Sequence, residues 1–146
     1  MTRQAFALFC DDVRTEDNGK KLFIGVYDEG LLVPLLPAKL SKLMVVTYVA
    51  TPMEDPLQKL CLLVRRDGDV IVRMDVDKHS LDQAAATRKS DQAPSQIKIN
   101  GIITLPNFSI EKESLIDVVV ETERETITAG VLRLSCQPAE LPAPPP

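Results

Sequence analysis

The residue types best suited to chemistry begin with Cys10, Asp11 and Asp12, in the stretch LFCDDVR. A thiolate can act as a nucleophile or a metal ligand, and neighbouring carboxylates can bind a metal ion or a polar ligand. A catalytic cysteine also needs a base close by, and nothing in the sequence singles one out. The interpretation we favour is structural: the two carboxylates accept backbone N–H groups at a strand bend. Ligand binding by Asp11 and Asp12 is the alternative.

A second candidate group is Asp75, Asp77 and His79, which contains the only histidine of the chain. Residues two apart share one face of a β-strand, so these three side chains could converge. Two carboxylates and an imidazole suit zinc or manganese. The same alternation occurs in any solvent-facing strand that runs into a loop, and we favour that interpretation. A calcium-binding sandwich is a related alternative, whose acidic residues would lie in the turns Asp28-Glu29, Glu54-Asp55 and Asp67/Asp69.

Signatures of the common enzyme classes are missing from the sequence. It contains no GxGxxG or phosphate-binding loop, no GxSxG nucleophile elbow and no HExxH motif. An enzyme is therefore the weaker hypothesis, and it would have to use Asp11/Asp12 or the group formed by Asp75, Asp77 and His79. We expect no cofactor.

Length and composition indicate one globular domain. The chain has 146 residues, of which 45% are hydrophobic and 26% charged, and this size supports one buried core. The formal net charge of −4 provides no basic field for a polyanion, so nucleic acid is a disfavoured partner.

The sequence predicts a cytoplasmic protein. Asp11 and Asp12 interrupt the first apolar stretch before a secretory hydrophobic region is complete. No apolar run approaches the roughly 20 residues that cross a bilayer, so no membrane span is expected. The three cysteines lie far apart, form no CxxC pair and are odd in number, which predicts buried free thiols rather than a disulfide framework.

Short runs rich in β-branched and aliphatic residues alternate with turn signals, a pattern typical of antiparallel strands. Asn18-Gly19 predicts a two-residue hairpin that places Asp12 opposite Gly25. Asp67-Gly68 predicts another hairpin, Asn100-Gly101 a bulge or turn, and Gly130 a bulge. Ser80 could cap a short helix over 84–88, and a loop is the alternative. The predicted strands are 4–13, 21–27, 41–50, 58–66, 69–77, 96–105, 114–123 and 126–136.

This pattern predicts an all-β fold, an antiparallel β-sandwich of seven or eight strands with at most one short helix. Its architecture would be immunoglobulin-like or C2-like, and a β-barrel is the alternative. Residues 1–136 form the predicted domain, and 137–146 form a proline-rich tail, extended or disordered. Between Pro34 and Pro37, which indicate an edge or a connection, Leu35 and Leu36 either form an exposed binding patch or cover the open end of the core.

The N-terminal third also resembles a known family. The run ALFCDDVRTEDNGKKLFIGVYDEGLLVP, followed by LPAKLSKLMVV, is similar to a family of short bacterial proteins of unknown function with a CDD-like strand, a GK turn and a GVY strand. The similarity covers about the first 50 residues. It implies a small bacterial all-β protein with no known activity. The recurring positions are Cys10, Asp11, Asp12, Gly19, Gly25 and Tyr27.

Taken together, these observations favour a non-enzymatic module for protein–protein interaction or assembly. Its partner would be another protein or a second copy of the chain. An edge strand or the leucines Leu35 and Leu36 would provide the contact surface.

Overall fold

A computed structural model describes residues 2–86, 96–138 and 145. Within these residues the chain forms nine strands and one helix. The elements are β1 (Gln4–Thr15), β2 (Lys21–Val26), β3 (Gly30–Val33), β4 (Ala38–Pro52), β5 (Leu60–Arg66), β6 (Asp69–Val76), α1 (Lys78–Ala86), β7 (Gln96–Ile110), β8 (Ser114–Thr122) and β9 (Thr126–Cys136).

The strands form two sheets, so the predicted all-β sandwich is confirmed and the barrel alternative is wrong. One sheet has the strand order β2-β1-β4-β7 and the other the order β3-β9-β8-β5-β6. The expectation of a purely antiparallel arrangement is wrong at β3, which pairs parallel with β9. The chain crosses from one sheet to the other between β2 and β3. None of the described helices is long and apolar enough to span a bilayer.

The main core lies between the inner faces of the two sheets and is made of aliphatic side chains. The strand β4 is buried on both faces at its centre, as its nearly continuous apolar sequence indicates. Its inward residues pack in the main core, whereas Met44 and Val46 form a second, outer cluster with Cys10. The fully buried side chains of the main core include Leu43, Val45, Leu60, Leu62, Val64, Ile110, Ile116, Val118, Val120, Leu132 and Leu134.

Of the predicted turns and bulges, those at Asp67-Gly68 and Gly130 are confirmed and the one at Asn100-Gly101 is wrong. Asp67 and Gly68 both have positive φ and form the two-residue β5–β6 turn. The β8–β9 register shifts at Gly130, where the bulge was expected. Asn100-Gly101, in contrast, lies inside an unbroken β4–β7 ladder. Gly101 serves packing instead, because a Cβ there would lie 2.5 Å from Leu62 Cδ1.

The predicted register of the first hairpin is wrong by one residue. Thr15 pairs with Lys21, because the connection is not a two-residue turn at Asn18-Gly19. Gly19 N donates to Glu16 O at 2.9 Å, and Gly19 has a φ of +83°. This geometry, a turn followed by a left-handed glycine, adds one residue to the loop. Asp11, rather than Asp12, therefore lies across from Gly25.

The helix begins earlier than its predicted span of 84–88. Its N-terminal cap is Asp77, not Ser80, because an Asp77 carboxylate oxygen accepts a hydrogen bond from Ser80 N at 2.8 Å. Leu81 is its buried residue. The rest of the predicted helix and most of the predicted proline-rich tail lie outside the described residues.

All three cysteines are free, as expected. Cys10 and Cys61 are buried, whereas Cys136 is only partly buried because it lies at the end of β9.

A buried arginine ties three parts of the sandwich together at one end. The Arg3 side chain is fully buried, and its guanidinium donates to Thr51 Oγ1 at 3.2 Å and to Glu123 Oε1 at 2.6 Å. Burial alone would raise the pKa of Glu123. The hydrogen bonds from Arg3 and from the backbone N–H groups of Gln58 and Lys59 outweigh burial and lower the pKa to about 2.

Because Glu123 is ion-paired with Arg3, we expect the free energy of unfolding to fall in acid. The pKa of Glu123 is lower in the folded protein than its ordinary value of about 4.5, so the ionised carboxylate stabilises the folded state above pH 4.5. This stabilisation is lost as the pH falls from 4.5 towards 2, where the carboxylate becomes protonated. We expect Glu123→Gln to lower the free energy of unfolding by about 1–2 kcal/mol at pH 7, after discounting for the partial exposure of the carboxylate. The difference from the wild type should shrink as the pH falls towards 2.

Urea denaturation at a series of pH values measures this effect. Glu111→Gln, which changes an exposed carboxylate in the β7–β8 turn, is the matched control. An equal loss of stability in Glu123→Gln at every pH would contradict the assignment.

Candidate functional site

The Asp11 carboxylate lies directly over Gly25 on the neighbouring strand. A Cβ at Gly25 would lie 2.8 Å from Asp11 Cγ and would overlap its Oδ2 atom. Gly25 also has a φ of +68°, which side chains other than glycine rarely adopt. The Tyr27 hydroxyl donates a hydrogen bond to Asp11 Oδ1. The carboxylate therefore occupies space left by a missing side chain and has a specific donor.

Side-chain alternation breaks at this point on both strands. Cys10 and Val13 are three residues apart, yet both pack in the outer cluster, where regular alternation would put them on opposite faces. On β2 Phe23 packs in the outer cluster, whereas Tyr27, directly after β2, packs against the main core, although residues four apart in an extended chain should share a face. The contact between Asp11 and Gly25 lies inside this break.

Asp12 makes different contacts and ties the hairpin to β4. Lys42 Nζ donates to Asp12 Oδ1 at 2.6 Å, and Arg14 Nε donates to Oδ2 at 3.3 Å. These cations, Lys42 above all, hold the pKa of Asp12 below its usual range. Burial and the hydrogen bond to Asp11 raise the pKa of Tyr27 to about 12. Asp11 and Asp12 are thus held in separate, internally partnered environments.

The cysteine next to them is sequestered. Cys10 has no exposed surface, and burial is the main cause that raises the pKa of its thiol. Cys61 is also fully buried, and burial together with a hydrogen bond to Asp75 raises its pKa to about 11. Neither thiol has the lowered pKa and exposure of a reactive cysteine.

The second candidate group is not brought together on one strand face. Its residues belong to different elements, because β6 ends at Val76 and α1 begins at Lys78. Asp75 is held by Arg73, whose Nε donates at 3.1 Å, and Asp77 caps the helix. His79 lies in the exposed first turn of α1. Within the described ranges, no group of three or more His, Cys, Asp or Glu side chains is arranged to hold a metal ion.

The two leucines between the prolines have different environments. Leu35 is 73% exposed, whereas Leu36 packs against the main core. Leu36 therefore covers the core, whereas Leu35 is exposed and its role in binding stays a prediction.

Three exposed apolar residues on β2 were not identified from the sequence. Leu22, Ile24 and Val26 are each at least 40% exposed, and β2 is an edge strand. The signal in the sequence is that consecutive residues from Leu22 to Ile24 are all apolar, so both faces of the strand carry apolar side chains. The sequence could not show that this strand has a neighbour on one side only.

One family model matches residues 5–135 of the sequence, which span nearly the whole sandwich. The chain belongs to this family of unknown function, DUF6941. Membership in DUF6941 confirms the expected relationship to an uncharacterised family. None of the curated proteins matches the chain.

Because the Asp11 carboxylate lies over Gly25, we expect substitution of Gly25 to destabilise the protein more than substitution of another glycine with positive φ. Gly25→Ala combines backbone strain with overlap of the Asp11 carboxylate, and we expect it to lower the free energy of unfolding by about 2–4 kcal/mol. Gly19→Ala is the matched control, since Gly19 also has positive φ but has nothing within 4 Å of the position of a Cβ. Its cost should be about 1 kcal/mol.

Denaturant titration of these variants, alone and combined with Asp11→Ala, measures the contact. In the Asp11→Ala background the cost of Gly25→Ala should fall towards that of Gly19→Ala, because the overlapping carboxylate is gone and only the Cβ of residue 11, at 3.2 Å, remains close. Equal costs for Gly25→Ala in both backgrounds would refute the contact.

Proposed function

We propose that this protein is a non-enzymatic interaction module that binds another polypeptide by strand addition to the free edge of β2. The observation that carries the proposal is a set of exposed apolar side chains, Leu22, Ile24 and Val26, on an edge strand. Strand addition uses the unpaired backbone groups of an edge for affinity and the alternate side chains for specificity.

The other three sheet edges are less suited to this role. The strand β3 has only four residues, and β7 contains Pro106, which cannot donate to a ladder. The strand β6 has Arg73 and Asp75 between its apolar residues, and charged side chains discourage pairing at an edge. The six residues of β2 include no charge after Lys21. This comparison favours β2 as the binding edge.

Several contacts support a role without catalysis. The carboxylates of Asp11, Asp12 and Asp75 are each partnered within the protein, and Cys10 and Cys61 are buried with raised pKa values. The three free thiols support a reducing compartment, and with the resemblance to short bacterial proteins they support the bacterial cytoplasm as the site of action. The net charge of −4 supports a protein partner over nucleic acid.

Site-specific photocrosslinking in the source cell tests the proposal. A photoreactive amino acid at position 24 should yield adducts with a polypeptide, because Ile24 lies on the binding edge. The same amino acid at position 70 is the matched control, since Val70 is a comparably exposed apolar residue on the β6 edge. Adducts at position 70 but not at position 24 would contradict the proposal.

A further inference from the structure

We propose that the polypeptide added to β2 is a second copy of this chain, paired antiparallel about a two-fold axis through β2 and the residues that flank it. This inference rests on the proposed function and names its partner. The pairing would join two four-stranded sheets into one continuous sheet.

The sequence of the edge is complementary to itself. Residues 20–29 read KKLFIGVYDE, with two cations before the apolar centre and two anions after it. When β2 pairs antiparallel with its own copy so that Ile24 lies opposite Gly25, the sequence order brings Lys21 to Asp28 and Lys20 to Glu29, the two anions lying in the bend that follows β2. Opposite charges on facing strands attract each other and help to fix the register.

The charged residues at the two ends are accessible. Lys20 has a side chain 70% exposed, and Asp28 and Glu29 are exposed after the end of β2. Among the ion pairs of the described residues, none uses Asp28 or Glu29. These anions are therefore available to the lysines of a second copy.

The break at Gly25 makes this register geometrically possible. Facing residues of an antiparallel pair point to the same face, and a two-fold axis perpendicular to the sheet preserves that face. The proposed register sets Phe23 opposite Val26, which would point to opposite faces in an uninterrupted strand. Here both point outward, since Phe23 packs in the outer cluster and Val26 lies across from Cys10 of that cluster.

The backbone groups of the free edge follow the same symmetry. Glu16 N donates to Lys20 O, and Tyr27 N donates to Phe9 O, so Lys20 and Tyr27 face β1. By the alternation of antiparallel pairs, the backbone groups of Phe23 and Val26 point to the free edge. These are the two residues that the proposed register places opposite each other.

The contact is short, so we expect a weak dimer. A pair of six-residue strands buries less than the roughly 1,200 Å² typical of stable complexes. We expect self-association of the purified protein between about 5 µM and about 500 µM in sedimentation velocity. It should weaken as salt is added, because the end charges are exposed.

Charge exchange tests the register. The acidic variant Lys20→Glu/Lys21→Glu and the basic variant Asp28→Lys/Glu29→Lys should each associate with themselves roughly tenfold or more weakly than the wild type. Mixed together, they should form a heterodimer, because all facing charges are then opposite. The variant that carries all four changes should regain self-association, which also controls for damage to folding.

The outcomes separate this inference from the proposed function. A wild-type protein that stays monomeric throughout this range, while position 24 crosslinks to a different protein in cells, would overturn self-pairing and leave the binding edge standing. A monomer with no crosslinks at position 24 would overturn both. A dimer whose affinity is the same in all the charge variants would overturn the proposed register.

Discussion

The arrangement of the N-terminal hairpin depends on one close contact, the carboxylate of Asp11 over the bare Cα of Gly25. The Asp11 carboxylate is exposed, and the Tyr27 hydroxyl donates a hydrogen bond that holds it in this position. To reach this position the two strands break their alternation together. Cys10 and Val13 can then both pack in the outer cluster, while Tyr27 packs against the main core. The two neighbouring carboxylates therefore make different contacts. Asp11 lies over Gly25 and accepts a hydrogen bond from Tyr27, and Asp12 accepts a hydrogen bond from Lys42 of β4.

The same break decides what the edge of the sheet presents. An apolar edge strand invites pairing with any extended polypeptide, and proteins usually protect such edges with charges. Here the charges lie at the two ends, with lysines at Lys20 and Lys21 and acidic residues at Asp28 and Glu29. In the proposed account this distribution limits pairing to a partner with the complementary order of charges. Repulsion between like charges in other registers then contributes to specificity as much as attraction between opposite charges in the correct register.

The strands and the sandwich could be predicted from turn residues and from the alternation of apolar and polar side chains. A strand with one face buried between two sheets must place an apolar side chain at every second residue. The register between β1 and β2 could not be predicted, because Asn18-Gly19 fits either a two-residue turn or a longer loop with a left-handed glycine at its end. The parallel strand β3 was missed because it is short and lies next to Pro34. Asp11 was identified as a candidate residue from the Cys10-Asp11-Asp12 stretch, but its contact with Gly25 needed the correct register. Which strands lie at an edge is a property of topology, and no local pattern encodes it.

The central claim is that the free edge of β2 pairs with its own copy, and backbone hydrogen exchange measured by NMR tests it most directly. The account predicts that the amides of Phe23 and Val26 exchange rapidly at low protein concentration and become protected as the concentration rises. The amide of Tyr27, bonded to Phe9, should be protected at both. Exchange at Phe23 and Val26 that is independent of concentration would contradict the account.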